Sequence, residues 1–280
     1  MRIAVTGGLG RLGQYVVRAL APHTPRVVDI ATPAHPPADY HRADVRELGA
    51  LRAALQGIEV VVHLGAIDRS FATDDAATMQ VNAMGTWNLF EAARQVGVRR
   101  VVHCSSSSAT GLDVSNPGMP PLYLPIDEAH PARATDAYGL SKLCGERIAE
   151  AFARRGLEVI VIRPVFVAFP EMADFMAGKS GPEGRAEPMP YLRAYVGPED
   201  CARGFAAAVK ADYTGFELFF LAAEDCFATE PIVARMEALY RVSIPVRDPT
   251  LYQRSPRASP ISTAAARARL GWTPTTQWLA

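Results

Sequence analysis

The sequence predicts an α/β fold, a doubly wound parallel sheet followed by a small C-terminal cap. Over residues 1–165, short apolar runs rich in β-branched residues alternate with longer stretches of helical periodicity. A glycine-rich turn joins the first apolar run to the first helical stretch. Alternating strands and helices form a parallel sheet with helices on both faces, because crossover connections are right-handed.

The predicted strands are short and apolar, and they cover residues 3–5, 26–30, 60–64, 101–104 and 157–162. The predicted helices between them cover residues 12–20, 47–55, 78–96 and 137–154. A weaker pattern continues with helices at 199–211, 231–240 and 263–270 and a strand at 216–222. We therefore assign 1–165 and about 197–222 to the sheet core, and about 166–196 and 223–280 to a small substrate-binding cap. The glycine and proline residues within 170–190 predict a loop or lid.

The composition excludes several classes of function. Lysine plus arginine and aspartate plus glutamate number 29 each, so no overall charge favours nucleic acid or an anionic membrane. No segment is apolar for long enough to span a bilayer, and the N-terminus reaches the glycine-rich turn with no room for a signal peptide. The four cysteines lack metal-binding spacing, which indicates reduced thiols in a cytoplasmic protein without a metal site.

The glycine-rich turn, TGGLGRLG at residues 6–13, predicts a dinucleotide site. It matches G-x-G-x-x-G from Gly8 and G-x-x-G-x-x-G from Gly7, and it lies between a strand and a helix. Such a turn needs glycine because the pyrophosphate must approach main-chain N–H groups at the helix N-terminus. The predicted cofactor contacts from this turn are Gly7, Gly10, Arg11, Leu12 and Gly13.

Acidic residues near the following strands refine this prediction. Asp29 ends the run RVVD at 26–29, where a carboxylate binds both hydroxyls of the adenosine ribose and repels a 2′-phosphate. This position favours NAD over NADP, whereas the cation of Arg11 is the feature that would hold a phosphate. Asp44 ends the third strand region, in ADV at 43–45, and either meets the adenine edge or caps the next helix.

A second set of residues has the chemistry of an acid–base centre. Tyr138 and Lys142 lie four residues apart, on one face of a predicted helix. A free tyrosine has a pKa of about 10, and a nearby ammonium lowers it, which suits the pair to interconverting a hydroxyl and a carbonyl. The serine run at 105–108 follows a strand, and ligands of open parallel sheets bind beyond the carboxyl ends of the strands. A serine hydroxyl at this place can hydrogen-bond the reacting oxygen.

Together these motifs resemble the extended short-chain dehydrogenase/reductases, also called the NAD-dependent epimerase/dehydratase family, which have a Rossmann fold and bind NAD. The similarity covers most of the chain. Its motifs are the glycine-rich turn, Asp29, HLGA at 63–66, NAMGT at 82–86, the serine run, YGLSK at 138–142, RP at 163–164, YVGPED at 195–200 and LGWTP at 270–274. The compact plan is similar to that of uronate dehydrogenases, which share the His-Leu-Gly run and Tyr-Gly-Leu-Ser-Lys.

The resemblance implies roles for individual residues. Tyr138 would be the general acid–base, Lys142 would lower its pKa and hold the nicotinamide ribose, and Asn82 would support Lys142 through water. The catalytic serine would be Ser106 when Gly111 anchors the alignment, or Ser107 when the serine run is aligned alone, and we favour Ser106. Thr110 stands where the family usually has a tyrosine before that glycine. Further cofactor contacts are expected from Asp44, Val45, Leu64, Gly65, Ala66 and Pro164.

These features predict an enzyme that oxidises a hydroxyl of a small sugar, sugar acid or similar substrate by hydride transfer to NAD. A sugar or nucleotide-sugar epimerase that retains NAD is the main alternative, and a catalytically silent NAD-binding protein is a third. A dehydratase is disfavoured, because Ser107 and Ser108 stand where dehydratases carry an Asp-Glu pair.

A small substrate is expected because the stretch between Pro164 and Tyr191 is short. A nucleotide diphosphate calls for convergent cations, and this stretch contains only Lys179 and Arg185. The predicted substrate contacts are Ser107, Asp68, Arg69 and Arg185, with Arg193 as a further candidate for holding a carboxylate. The resemblance also implies a homodimer through the helices that carry Asn82 and Tyr138.

Overall fold

The computed structural model describes residues 1–68, 74–112, 119–177 and 192–277. Its centre is a seven-stranded parallel sheet in the order β3-β2-β1-β4-β5-β6-β9. These strands are β1 Ile3–Thr6, β2 Arg26–Asp29, β3 Tyr40–Arg42, β4 Val60–His63, β5 Arg100–Cys104, β6 Glu158–Pro164 and β9 Phe216–Leu221. The prediction of a doubly wound α/β fold is therefore confirmed.

The helices connect these strands or follow the last of them. They are α1 Arg11–Ala19, α2 Leu48–Ala54, α3 Asp75–Met79, α4 Gly85–Gln95, α5 Ala137–Ala153, α6 Ala173–Met176, α7 Pro198–Lys210, α8 Ile232–Tyr240, α9 Pro249–Arg254 and α10 Ala264–Leu270. A second, two-stranded sheet pairs β7 Phe166–Val167 with β8 Tyr195–Val196. The predicted strand and helix boundaries agree with these to within a few residues, except in the segments described below.

Two hydrophobic cores sandwich the sheet. On one face, Val16 of α1 and Phe205 of α7 pack against the strands. On the other face, side chains of α2, α4 and α5 pack against the strands. Phe90 and Phe152 are among the largest fully buried side chains there. Residues such as Val61 and Val102 are fully buried, as expected for strands covered on both faces by helices.

The predicted single helix at 78–96 is wrong in detail. Asp74 accepts a hydrogen bond from the main-chain N–H of Ala77 and starts α3 earlier than predicted. A π-helical turn, Gln80–Met84, then separates α3 from α4. Such turns are rare and frequently occur at functional sites, and this one contains Asn82.

The region after β6 contains more regular structure than predicted. Strands β7 and β8 and helix α9 had no counterpart in the prediction, and part of the predicted loop at 170–190 is a short helical segment ending with α6. Residues 178–190 of that loop lie outside the described residues. Two family motifs meet here, because Trp272 Nε1 donates to the main-chain oxygen of Asp200 at 2.8 Å. The segment after α10 is thereby fixed to α7.

The described helices include none that is both long enough and apolar enough to cross a membrane. All four cysteines, Cys104, Cys144, Cys201 and Cys226, are free thiols.

Candidate active site

The glycine-rich turn follows β1 at the carboxyl edge of the sheet and is held closely against its neighbours. The main-chain N–H of Gly7 donates to the oxygen of Val28 at 2.8 Å, and Gly7 has a φ of 69°, which favours glycine. A Cβ on Gly7 would lie 2.8 Å from the nitrogen of Gly65, and one on Gly13 would lie 2.1 Å from the oxygen of Gly7. No other residue fits at these two positions. The result is a bare main-chain cradle in front of α1, which fits a dinucleotide pyrophosphate.

Asp29 lies beside this cradle at the end of β2. Its carboxylate accepts hydrogen bonds from the main-chain N–H groups of Leu9 and Ala31, both at 3.0 Å. These bonds fix the carboxylate next to the glycine-rich turn, which is the place expected of a residue that binds the adenosine ribose.

Arg11, the first residue of α1, has other partners in this structure. Its guanidinium lies 4.0 Å from the centre of the Phe169 ring and pairs with Glu171 at 2.5 Å. The cation that would favour NADP is therefore directed to the segment after β7. Leu12 is half-buried and packs against the core beneath the turn.

Asp44 and Val45 follow β3. The helix-cap alternative for Asp44 is wrong, because α2 begins only at Leu48 and Asp44 instead forms an ion pair with Arg46 at 2.6 Å. The Arg46 hydrogen bond holds the pKa of the Asp44 carboxyl below its usual range. Val45 packs into the space that a Cβ on Gly85 would fill, which ties this loop to α4.

Leu64, Gly65 and Ala66 follow β4, opposite the glycine-rich turn. The main-chain N–H of Leu64 donates to the oxygen of Thr6 at 3.0 Å, and that of Gly65 donates to Thr6 Oγ1 at 3.3 Å. The order of the sheet reverses between β1 and β4, and ligands of open α/β sheets bind at such switch points. The expected cofactor residues from two separate parts of the sequence are thus neighbours.

Tyr138 and Lys142 lie in the first turns of α5, where Asp136 caps the helix by accepting from Gly139 N at 2.9 Å. The Lys142 ammonium is buried, donates to the oxygen of Cys104 at 3.1 Å and lies 5.7 Å from the centre of the Tyr138 ring. Burial lowers the pKa of Lys142, and the nearby carboxylates of Asp68 and Glu146 and the Cys104 sulfur oppose this shift. Tyr138 itself is half-buried.

Asn82 is buried and holds the loop after β4. Its Oδ1 accepts from the N–H of Ile67 at 2.8 Å, and its Nδ2 donates to the oxygen of Ile67 and to Ser141 Oγ, both at 3.0 Å. Asn82 therefore links that loop to α5. Its contact with Lys142 through water remains a prediction.

The serine run forms a tight turn after β5. Ser106 Oγ accepts from the N–H of Ser108 at 3.1 Å and donates to Ser108 Oγ at 3.2 Å. A Cβ on Gly139 would lie 2.6 Å from the oxygen of Ser108, so the glycine after Tyr138 lets α5 approach the serine turn closely. Ser106, Tyr138 and Lys142 are brought to the same edge of the sheet as the glycine cradle.

The profile of the NAD-dependent epimerase/dehydratase family matches residues 3–180, which carry the glycine cradle, the serine turn and the Tyr138–Lys142 pair. The chain belongs to this family. NAD is accordingly its cofactor, and it is an enzyme of the short-chain dehydrogenase/reductase type.

Comparisons with individual proteins support this assignment. The chain is 33% identical over 217 residues to an L-arabinose 1-dehydrogenase (NAD(P)(+)) of Haloferax volcanii, over 75% of this chain and 83% of the relative. It is 33% identical over 178 residues to a uronate dehydrogenase of Pseudomonas syringae pv. tomato, and that alignment spans 61% of this chain and only 60% of the relative. A crystal structure of a short-chain dehydrogenase/reductase superfamily protein from Agrobacterium tumefaciens with bound NAD has a TM-score of 0.74, covering 99% of this chain and 94% of that one at 23% identity.

Only some of the predicted substrate residues lie within the part of the chain that the structure describes. Asp68 is exposed and close enough to Lys142 to oppose the lowering of the lysine's pKa by burial. Arg69 and Arg185 lie outside the described residues. Arg193 is half-buried, with its guanidinium 5.4 Å from the centre of the Phe227 ring. Pro164 ends β6 and is buried beside Leu221.

Sequence analysis missed a pair of buried histidines beneath the site. His63 Nδ1 lies 2.7 Å from Thr6 Oγ1, and its Nε2 lies 3.2 Å from Thr86 Oγ1. The His63 ring stacks on the ring of His103, with 5.4 Å between the ring centres. Burial, with a smaller contribution from Lys142, lowers the pKa of His63 to about 3. His63 therefore links the strand that precedes the glycine cradle to α4 as a neutral imidazole. The HLGA motif contained this residue, but nothing in the motif indicated its partners.

Proposed function

We propose that this protein oxidises a hydroxyl of a small sugar or sugar acid, with NAD as the hydride acceptor. The observation that carries the proposal is the close packing of Gly139 against the oxygen of Ser108, which places the Tyr138–Lys142 helix beside the serine turn. Both lie at the edge of the sheet that holds the glycine cradle. A base, a hydroxyl donor and a dinucleotide site at one edge are the parts that alcohol oxidation requires.

Each residue has a separate task in this proposal. Tyr138, as the phenolate, takes the proton of the substrate hydroxyl while the carbon–oxygen bond becomes a carbonyl. The buried ammonium of Lys142 favours the phenolate by its charge. The Ser106 hydroxyl hydrogen-bonds the reacting oxygen, and Asn82 fixes the main chain of Ile67 beside Lys142. NAD, when bound, accepts the hydride that leaves the substrate carbon.

The substrate is proposed to be a free sugar or sugar acid rather than a nucleotide sugar. Supporting this are the similarity to an L-arabinose dehydrogenase and a uronate dehydrogenase, and the short stretch after Pro164. Ser106, Ser107 and Tyr138 would bind the reacting end of the substrate. Asp68, Arg69 and Arg185 are the proposed contacts farther from it, and Arg193 is a candidate for a carboxylate.

We also propose that two copies associate through α4 and α5 and that the protein works in the cytoplasm. Met84, Trp87 and Leu140 are large apolar residues at least 39% exposed on or beside these helices, and contact with a second copy would remove them from water. Trp87→Glu should convert the dimer to a monomer in sedimentation, whereas Leu239→Glu on α8 should not. A wild-type monomer would refute the dimer.

The free thiols of the four cysteines support the proposed location in the cytoplasm, where thiols stay reduced.

The test is a substrate panel of aldoses, uronic acids and nucleotide sugars incubated with the enzyme and NAD. We expect NADH to accumulate with at least one free sugar or uronic acid. An epimerase would convert a nucleotide sugar without NADH appearing, and a silent NAD-binding protein would convert nothing while still binding NAD. Either of these results would contradict the proposal.

A further inference from the structure

Glu146 is a buried carboxylate on the same face of α5 as the catalytic pair. It follows Lys142 by one helical turn, as Lys142 follows Tyr138. Its side chain is only 4% exposed, a degree of burial that charged residues show only when they are paired.

The contacts of Glu146 join α5 to two strands. Its carboxylate accepts from Arg163 Nε at 2.7 Å and from Arg163 Nη2 at 2.6 Å, and it also accepts from Ser105 Oγ at 2.5 Å. Arg163 is the second-last residue of β6, and Ser105 immediately follows β5. One carboxylate therefore ties the helix of Tyr138 to the carboxyl ends of both strands.

Stability alone does not account for this arrangement. The desolvation cost of a buried ion pair offsets most of its attraction, and apolar residues of similar volume often replace such pairs without loss of stability. The bidentate pair instead fixes the orientation of α5 relative to β6. Its hydrogen bond to Ser105 lies beside Ser106, and Glu146 lies one helical turn from Lys142.

We propose that Glu146 is a positioning residue, which, through Arg163 and Ser105, holds the Tyr138–Lys142 face of α5 in register with the serine turn. Glu146 acts through these neighbours and does not touch the substrate. The inference rests on the proposed function, because it assigns Ser106, Tyr138 and Lys142 to one reaction.

An ion pair between β5 and β6 provides a control for the general effect of losing a buried ion pair. Arg100 of β5 is 3% exposed and pairs with Glu158 of β6 at 2.8 Å, at the opposite end of the strands from the site. Disrupting this pair should affect stability without affecting the reaction.

The experiment compares the double variant Glu146→Leu/Arg163→Met with Glu158→Gln. The double variant removes one negative and one positive charge, so the net charge of the protein is unchanged. What it loses is the set of hydrogen bonds that join α5 to β6 and to Ser105. Thermal unfolding, the Kd for NAD, kcat and KM are measured well below each melting temperature. We expect the double variant to fold and to lose about tenfold or more in kcat, with KM changed less than kcat. Glu158→Gln should lower the melting temperature but keep kcat within about twofold.

A readout without substrate accompanies these measurements. The ionisation of Tyr138 is followed as the ultraviolet difference between each protein and its Tyr138→Phe counterpart. Because Lys142 would no longer be held near the phenol, the midpoint in the double variant should move to higher pH. An unchanged midpoint together with an unchanged kcat would overturn the proposal, as would equal losses of kcat in Glu158→Gln.

Ser105→Ala covers the case in which the double variant does not fold. It keeps both charges and removes one hydrogen bond to Glu146. We expect kcat to fall about threefold to tenfold with little change in unfolding temperature. Wild-type kcat in a folded Ser105→Ala would then overturn the proposal. A wild-type enzyme that turned over no sugar would instead contradict the proposed function, and the Tyr138 midpoint would still test the positioning.

Discussion

The ammonium of Lys142 donates to the main-chain oxygen of Cys104 at 3.1 Å, so this buried charge of α5 is anchored to the last residue of β5. The serine turn begins at the next residue. This hydrogen bond links the helix that carries the proposed base to the strand that precedes the proposed hydroxyl donor.

Tyr138→Phe removes the proposed proton acceptor but keeps the ring. We expect kcat to fall by about 10²- to 10⁴-fold, the usual contribution of general acid–base catalysis, while the Kd for NAD changes little. Steady-state kinetics and NAD titration check this. The matched control is Tyr213→Phe, which removes a phenol that donates to the oxygen of Phe216 at 2.6 Å, where β9 begins. Activity within a few-fold of wild type in Tyr138→Phe would place the chemistry elsewhere.

Ser106→Ala and Ser107→Ala distinguish the two candidates for the catalytic serine. If Ser106 binds the reacting oxygen, its loss should lower kcat by about 10²-fold, as removal of one such donor does in other enzymes. Ser107→Ala removes only a substrate contact and should change KM more than kcat. Because Ser106 also accepts from Ser108 N, unfolding temperatures of both variants are measured to confirm that the turn survives. The reverse order of effects would select Ser107.

The wild-type protein should bind NAD at least about tenfold more tightly than NADP, a difference of about 1.4 kcal/mol. The reason is the fixed carboxylate of Asp29, which repels a 2′-phosphate. Asp29→Asn keeps the shape of the side chain and should reduce this preference. Asp39→Asn, which affects the partner of Arg26 at the start of β2, should not. A wild-type preference for NADP, measured by titration, would assign the decisive role to Arg11.

The buried histidines predict an acid-sensitive fold. Unfolded histidine has a pKa of about 6.5, whereas burial lowers the pKa of His63 to about 3 and that of His103 well below its usual range. The unfolded chain therefore binds more protons below about pH 6.5, and stability present above that pH is lost progressively as the pH falls toward about 3. Each such histidine contributes a slope of about 1.4 kcal/mol per pH unit.

His103→Leu should reduce this slope by about one histidine's contribution between about pH 4 and pH 6 in denaturant unfolding. The substitution should cost little at pH 7, because neither ring nitrogen of His103 has a hydrogen-bond partner among the described residues. His35→Leu, which removes an exposed imidazole, is the control. An unchanged slope in His103→Leu would show that this ring is charged in the native state.

The sequence predicted the sheet because its signals are local. Buried strands such as β4 are short apolar runs, and the turn after β1 carries glycines at positions where the structure leaves no room for a Cβ. The Tyr138–Lys142 spacing is likewise a property of one helix. Those features can be recognised from periodicity and glycine spacing within a few residues.

The rest depends on contacts between distant residues. The π-helical turn at Asn82 interrupts a sequence pattern that predicts one continuous helix. Strands β7 and β8 are two residues each, which is too short for an alternating pattern of apolar residues to be detected. The Asp44 cap prediction failed because Arg46 was the available partner and α2 starts later. Glu146, Arg163 and Ser105 meet only in the folded chain, so no spacing rule could have joined them.

The central claim is that the enzyme transfers a hydride from a sugar hydroxyl to NAD and releases both products. The most direct measurement is the stoichiometry of NADH formed to substrate consumed, for the best substrate of the panel and over many turnovers. A dehydrogenase gives one NADH for each free sugar or uronic acid that disappears. Substrate that is converted to an isomer with no net NADH, above all a nucleotide sugar while free sugars stay inert, would contradict the claim and identify an epimerase.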